Sequence, residues 1–95
     1  MFVVRVADNF HYMDASETYT HGEFATWAEA VAVSRGIVDA FLVQHLKPGI
    51  DAERLFELYI AFGDDPHIAP VPEGESFSAW GYAELRCTQL CAPNA

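Results

Sequence analysis

Thr18-Tyr19-Thr20-His21-Gly22-Glu23-Phe24-Ala25, followed at once by Thr26-Trp27-Ala28-Glu29, is where the chain changes its period. The first eight residues are rich in Thr and aromatic side chains and suit a strand. The next four form an S/T-x-x-E capping box, in which the Thr hydroxyl and the Glu carboxylate satisfy donors that a helix start leaves orphaned. A strand that hands over to a helix at Thr26 decides the class. Upstream, residues 2 to 8 alternate Phe2, Val4 and Val6 against Val3, Arg5 and Ala7, the pattern of a strand with one well-buried face. The polar residues 9 to 17 join the two strands, which predicts a hairpin with a long loop.

Downstream of the capping box, Trp27, Ala30, Val31, Ile37, Val38, Phe41 and Leu42 recur at spacings of three and four, with Glu29, Arg35 and Asp39 off that face. The face is expected to pack on the sheet. Gly36 in mid-helix suggests close approach of another element, and Pro48 with Gly49 stops the helix. Asp51 is a good cap for a second helix of about twelve residues. Leu55, Leu58, Tyr59 and Phe62 are its stripe, and Gly63 is suited to a left-handed C′ position. Residues 64 to 74 contain three prolines and read as a loop, within which residues 67 to 71 are a candidate edge strand. Ser78 caps a third helix, with Phe77 placed to staple against Tyr82, and Trp80, Ala83, Cys87 and Leu90 form its stripe. The expected fold is therefore α+β: a small antiparallel sheet of two or three strands covered by three helices, in the order β-β-α-α-(β)-α.

Ninety-five residues fit one domain, and 52% hydrophobic against 20% charged residues exclude a wholly disordered chain. Fourteen acids against five Lys and Arg leave a net charge of −9, so a phosphate backbone finds almost no cationic footprint and direct nucleic-acid binding is not expected. The first residues carry no signal-peptide pattern, and Glu29, Arg35 and Asp39 interrupt the longest apolar segment, which argues against a spanning helix. Cys87 and Cys91 stand four apart, a spacing ill suited to a disulfide within a helix. They read as reduced thiols, and the expected location is the cytoplasm.

The segments Asp8-Asn9-Phe10-His11-Tyr12-Met13-Asp14, Gly22-Glu23-Phe24-Ala25-Thr26 with Glu29-Ala30-Val31, Phe62-Gly63-Asp64-Asp65-Pro66 and Phe77-Ser78-Ala79-Trp80 resemble those of a family of small uncharacterised proteobacterial proteins. The resemblance covers nearly the whole chain. It implies a compact bacterial α+β domain and brings no activity, cofactor or catalytic residue with it.

Two constellations could carry chemistry. His11, Tyr12 and Asp14, with His21 and Glu23 on the following strand, combine imidazoles and carboxylates suited to a divalent metal or to acid-base work. Asp64, Asp65 and His67 place two carboxylates and an imidazole just after a helix, without the EF-hand register. Both also have an ordinary structural explanation: acids and Asn turn loops, and Asp with Pro turns the chain after a Gly cap. Trp27 and Trp80, at helix starts, read as core, as does Cys87. No serine stands in a nucleophile motif, no glycine-rich loop is present, and no catalytic residue or cofactor is expected.

These features predict a non-enzymatic protein-binding or regulatory domain. Residues 1 to 47 hold three cations and six acids, whereas residues 48 to 95 hold two and eight, so a basic partner protein would be steered to the second half. Asp64, Asp65, Glu73 and Glu75 are the acids expected to meet it. An acidic decoy for a nucleic-acid-binding protein is a special case. The alternative is a small-ligand or divalent-metal site made by His11, Tyr12, Asp14, Asp64, Asp65 and His67. A homodimer through Ala32, Val33, Ala40 and Val43 is a third expectation.

Overall fold

In a computed structural model, which describes residues 1 to 8 and 19 to 91, the elements run β1 (Phe2–Asp8), β2 (Tyr19–Phe24), α1 (Trp27–His45), α2 (Ala52–Phe62), β3 (Asp64–Ala69) and α3 (Ala79–Leu90). The three helix starts lie where their caps predict them. Oγ1 of Thr26 accepts from the Glu29 N–H at 3.1 Å and lies 3.2 Å from the Glu29 carboxylate, to which the hydroxyl donates. Asp51 accepts from the Arg54 N–H at 2.8 Å, and Ser78 from the Gly81 N–H at 3.1 Å. Each cap satisfies an orphan donor of the first turn and contributes about 1 kcal/mol.

The sheet has the order β2-β1-β3 and is antiparallel throughout. Valines 4 and 6 of the central strand are buried on one face with Ile68, against Ala30 of α1. The other face carries the exposed Arg5, Glu23, His67 and Ala69, as suits an antiparallel sheet with one wet side. The pairing of β1 with β2 skips His21, since Val4 meets Gly22 and Arg5 meets Thr20. His21 is thus the extra residue of a β-bulge.

β3 corrects the reading of residues 64 to 74 as a loop. The strand starts at Asp64, one residue after α2, and stops before Pro70. Pro66 sits inside it without breaking the sheet because β3 is an edge strand, where a missing N–H can face the free side. Gly63 is also corrected. Its φ of −78° is not left-handed; an added Cβ would instead meet the Tyr59 ring and, at 2.8 Å, the Tyr59 carbonyl oxygen. Tyr59 is fully buried and its hydroxyl donates to the Asp64 carbonyl at 2.6 Å, so this ring fastens the end of α2 to the start of β3.

One line of α1, Ala30, Ser34, Val38 and Leu42, is fully buried. Ala30 belongs to the sheet cluster, while Val38 and Leu42 pack with Leu55, Tyr59, Ala83 and Cys87. The predicted face of α1 therefore divides its work between sheet and helices. In α2 the stripe turns towards Phe56, which packs on the helical cluster, and leaves Phe62 55% exposed. In α3 the buried line is Ala79, Ala83 and Cys87, with Trp80 and Leu90 half-buried beside it. Gly36 faces open space rather than a close neighbour, since nothing lies within 4 Å of an added Cβ. Ala32, Ala40 and Val43 are exposed and Val33 is half-buried.

Two predictions follow from this packing and are read by urea denaturation. Gly36→Ala is expected to stabilise the fold by about 1 kcal/mol through helix propensity alone, whereas Gly63→Ala should cost about 1–3 kcal/mol because the Tyr59 ring must move. Equal effects at the two glycines would contradict the packing described. The Oγ of buried Ser34 has no hydrogen-bond partner. Ser34→Ala should therefore gain about 1 kcal/mol, and a loss of that size would show that the hydroxyl is satisfied.

Candidate functional site

Of the residues singled out above, His11, Tyr12 and Asp14 lie outside the described residues. His21 and Glu23 are exposed on β2. Asp64 and Asp65 are neighbours on a strand, so the pleat sends them to opposite sides. Asp64 stands across from Asp8 in the ladder. Burial, with some repulsion from Asp8, pushes its carboxyl above the ordinary value. Asp65 and His67 share the other side, and Nε2 of His67 lies 3.2 Å from the Asp65 carboxylate. Glu73 and Glu75 are exposed beyond β3, in a turn where the Glu75 N–H donates to the Pro72 carbonyl at 3.1 Å and Gly74 takes a φ of +82°. The structure thus unites Asp65 with His67 and separates them from Asp64. Among the described residues no three His, Cys, Asp or Glu are grouped to hold a metal.

The Asp65 and His67 pair borders a cavity of about 410 Å³, completed by Phe77, Ser78, Ala79 and Trp80 at the entrance to α3. Its size is that of a small-ligand or side-chain pocket. The sequence places each wall for a local reason. Pro66 and Ile68 turn inward on β3 and are buried, which sends Asp65 and His67 the other way. Ser78 is tied up as the helix cap, so α3 begins at the cavity. Phe77, just before the cap, packs against both core clusters and anchors the loop beside the strand.

The Asp65 side chain is only 16% exposed, against 63% for His67. Burial raises the Asp65 carboxyl above its ordinary value, against the opposing pull and hydrogen bond of His67. A half-buried carboxylate beside aromatic rings suits a cation, since the ring faces and the carboxylate both attract positive charge. Asp65, His67 and Ser78 are also the residue types of an acyl-transfer triad. Here Ser78 Oγ accepts from Gly81, and no described hydrogen bond joins it to the widely exposed His67. The arrangement favours holding a ligand over activating a nucleophile.

Both cysteines are free. Burial, helped by Cys91, pushes the Cys87 thiol up to about 11, which leaves it protonated and unreactive at neutral pH. No described helix is long and apolar enough to cross a membrane.

Two features of this region were not read from the sequence. Trp80, taken as core, is half-buried and lines the cavity. Asp39, placed off the packing face of α1, accepts from the Tyr82 hydroxyl at 2.9 Å and from Arg86 Nε at 3.2 Å. The signal for the second was an acid on α1 facing a helix whose Tyr82 and Arg86 stand four apart, the spacing of one helix face. Comparison of the chain with protein-family models, with curated proteins and with solved structures found no match.

The raised Asp64 and Asp65 carboxyls have a consequence for stability. With folded pKa values above the unfolded value near 3.8, the folded state binds these protons more tightly. Acidification through the raised folded values towards 3.8 therefore adds stability from these two groups, and a rise in pH through them removes it. In thermal melts across that window, the Asp64→Asn/Asp65→Asn variant should lose this share of the wild-type gain on acidification. Parallel curves for the two proteins would contradict the assignment.

Proposed function

We propose that this chain is a non-enzymatic protein-binding domain, and that the cleft between β3 and the start of α3 receives a Lys or Arg side chain of a basic partner segment. The observation that carries this reading is the half-buried Asp65 carboxylate set in a cavity with Phe77 and Trp80. A cationic side chain entering there donates a charge-assisted hydrogen bond to the Asp65 carboxylate and gains contact with aromatic rings, while its aliphatic stem covers apolar surface. The net charge of −9, with eight of the acids in residues 48 to 95, favours encounter with such a partner. Asp64, Glu73 and Glu75 then act at longer range, as steering charges around the cleft, and salt should weaken their effect most. Proteobacterial origin and a cytoplasmic location remain consistent with this reading as proposals from the sequence.

The test is an NMR titration of the isotope-labelled chain with a blocked Gly-Gly-Lys-Gly-Gly peptide, with norleucine in place of Lys as the neutral control. Saturable shifts are expected at Asp65, His67 and residues 77 to 80 with the Lys peptide only. Asp65→Asn should weaken binding about tenfold, the loss of one charged hydrogen bond. Equal shifts with norleucine, or shifts confined to other surfaces, would overturn the proposal.

A further inference from the structure

Phe77 and Ser78 also line a second recess, of about 310 Å³, whose remaining walls include Arg35, Ser76, Tyr82 and Leu85. The two recesses therefore abut across the entrance to α3. Their polarities are opposite. The first is lined by the Asp65 carboxylate; the second is lined by a guanidinium, that of Arg35. Arg35 Cζ lies 5.4 Å from the centre of the Tyr82 ring. The Tyr82 hydroxyl donates to both Asp39 oxygens, at 2.9 and 3.0 Å, and Arg86 closes on the same carboxylate. Burial and Asp39 together push the Tyr82 phenol above its ordinary value, so it stays a donor at neutral pH.

This network settles the charge of Asp39 with Arg86 and leaves Arg35 without a carboxylate partner among the described residues. The described residues show no such partner for Arg5 or Lys47 either, so what sets Arg35 apart is its place over the Tyr82 ring within a recess. The Tyr82 ring helps to hold the guanidinium within the recess, and a guanidinium is the side chain that can bind a carboxylate in a two-pronged bond. The Ser76 hydroxyl, in the same recess, adds a further donor.

We infer that the two recesses are read together, and that the partner segment is an extended stretch carrying a cationic side chain for the Asp65 recess and an Asp or Glu side chain for the Arg35 recess. The inference rests on the cation-binding reading of the first cleft and sharpens it. A purely basic segment would satisfy Asp65 but bring a second cation against Arg35. The domain would thus select mixed-charge over polybasic segments, although its net charge alone favours the latter.

The probes are blocked peptides Lys-(Gly)n-Glu, Lys-(Gly)n-Gln and Lys-(Gly)n-Lys with one to four glycines, titrated by NMR. For the spacer that spans both recesses, Lys-Glu is expected to bind about fivefold more tightly than Lys-Gln and more tightly than Lys-Lys, with shifts at Arg35, Ser76 and Tyr82 as well as at Asp65 and Trp80. Arg35→Gln, a change at an exposed residue, should erase the preference for Glu and leave Lys-Gln binding as it was. Lys-Gln binding at the Asp65 recess with no preference for Glu at any spacer would overturn this inference alone. Absence of Lys-Gln binding there would overturn the cation-binding reading and this inference with it.

Discussion

The structure depends on one buried line of α1, in which Ala30, Ser34, Val38 and Leu42 follow one another at intervals of four. A helix repeats nearly every 3.6 residues, so this line runs the length of the element on a single face. It has two different neighbours. Near its start it meets the valines of the central strand, and near its end it meets the packed faces of α2 and α3. Burying Val4, Val6, Val38, Leu42 and Leu55 contributes about 1.5–3 kcal/mol each by transfer from water, before the entropy of ordering them is set against it. Ser34 falls where the two clusters join, and its small side chain separates the apolar groups on either side.

The candidate site follows from that division. Because α1 serves both clusters, β3 must leave α2 at once to reach the sheet, and Gly63 with Tyr59 makes the tight corner. The corner sets the start of the strand at Asp64, and the strand's alternation then sends Asp65 and His67 away from buried Pro66 and Ile68. Phe77 is the second piece shared by both clusters, and it draws the start of α3 alongside β3. The cleft therefore lies at the edge of the sheet, where β3 meets the start of α3. Its charged groups are carried on ordered secondary structure, which lowers the entropic cost of holding a ligand.

Much of the architecture was legible because it is written locally. Thr26, Asp51 and Ser78 each bond to a backbone N–H three residues on, so the helix starts could be read from short motifs. The class, and the placement of a third strand at an edge, follow from alternation and from turn residues. What escaped was non-local. The prolines pushed the expected strand to residues 67 to 71, whereas β3 runs Asp64–Ala69 with Pro66 inside it, tolerable because the strand lies at an edge. The two glycines exchanged meanings: Gly36 looked crowded and is open, while Gly63 looked like a left-handed cap and is a point of close approach. Asp39 pairs with residues more than forty positions away, beyond the reach of any local pattern. The Asp65 and His67 pair was visible as two residues, but the cavity was not, because Phe77 read as a staple against Tyr82 and Trp80 as core.

The central claim is that an aromatic and acidic seam between β3 and α3 holds a cationic side chain. The most direct measurement is of intermolecular NOEs between a ¹³C-labelled Lys side chain in a bound peptide and the rings of the domain. The account predicts contacts from the terminal methylenes of that Lys to the Trp80 and Phe77 rings. Contacts from those methylenes to β2 or to the open face of α1, with none to Trp80 or Phe77, would contradict it.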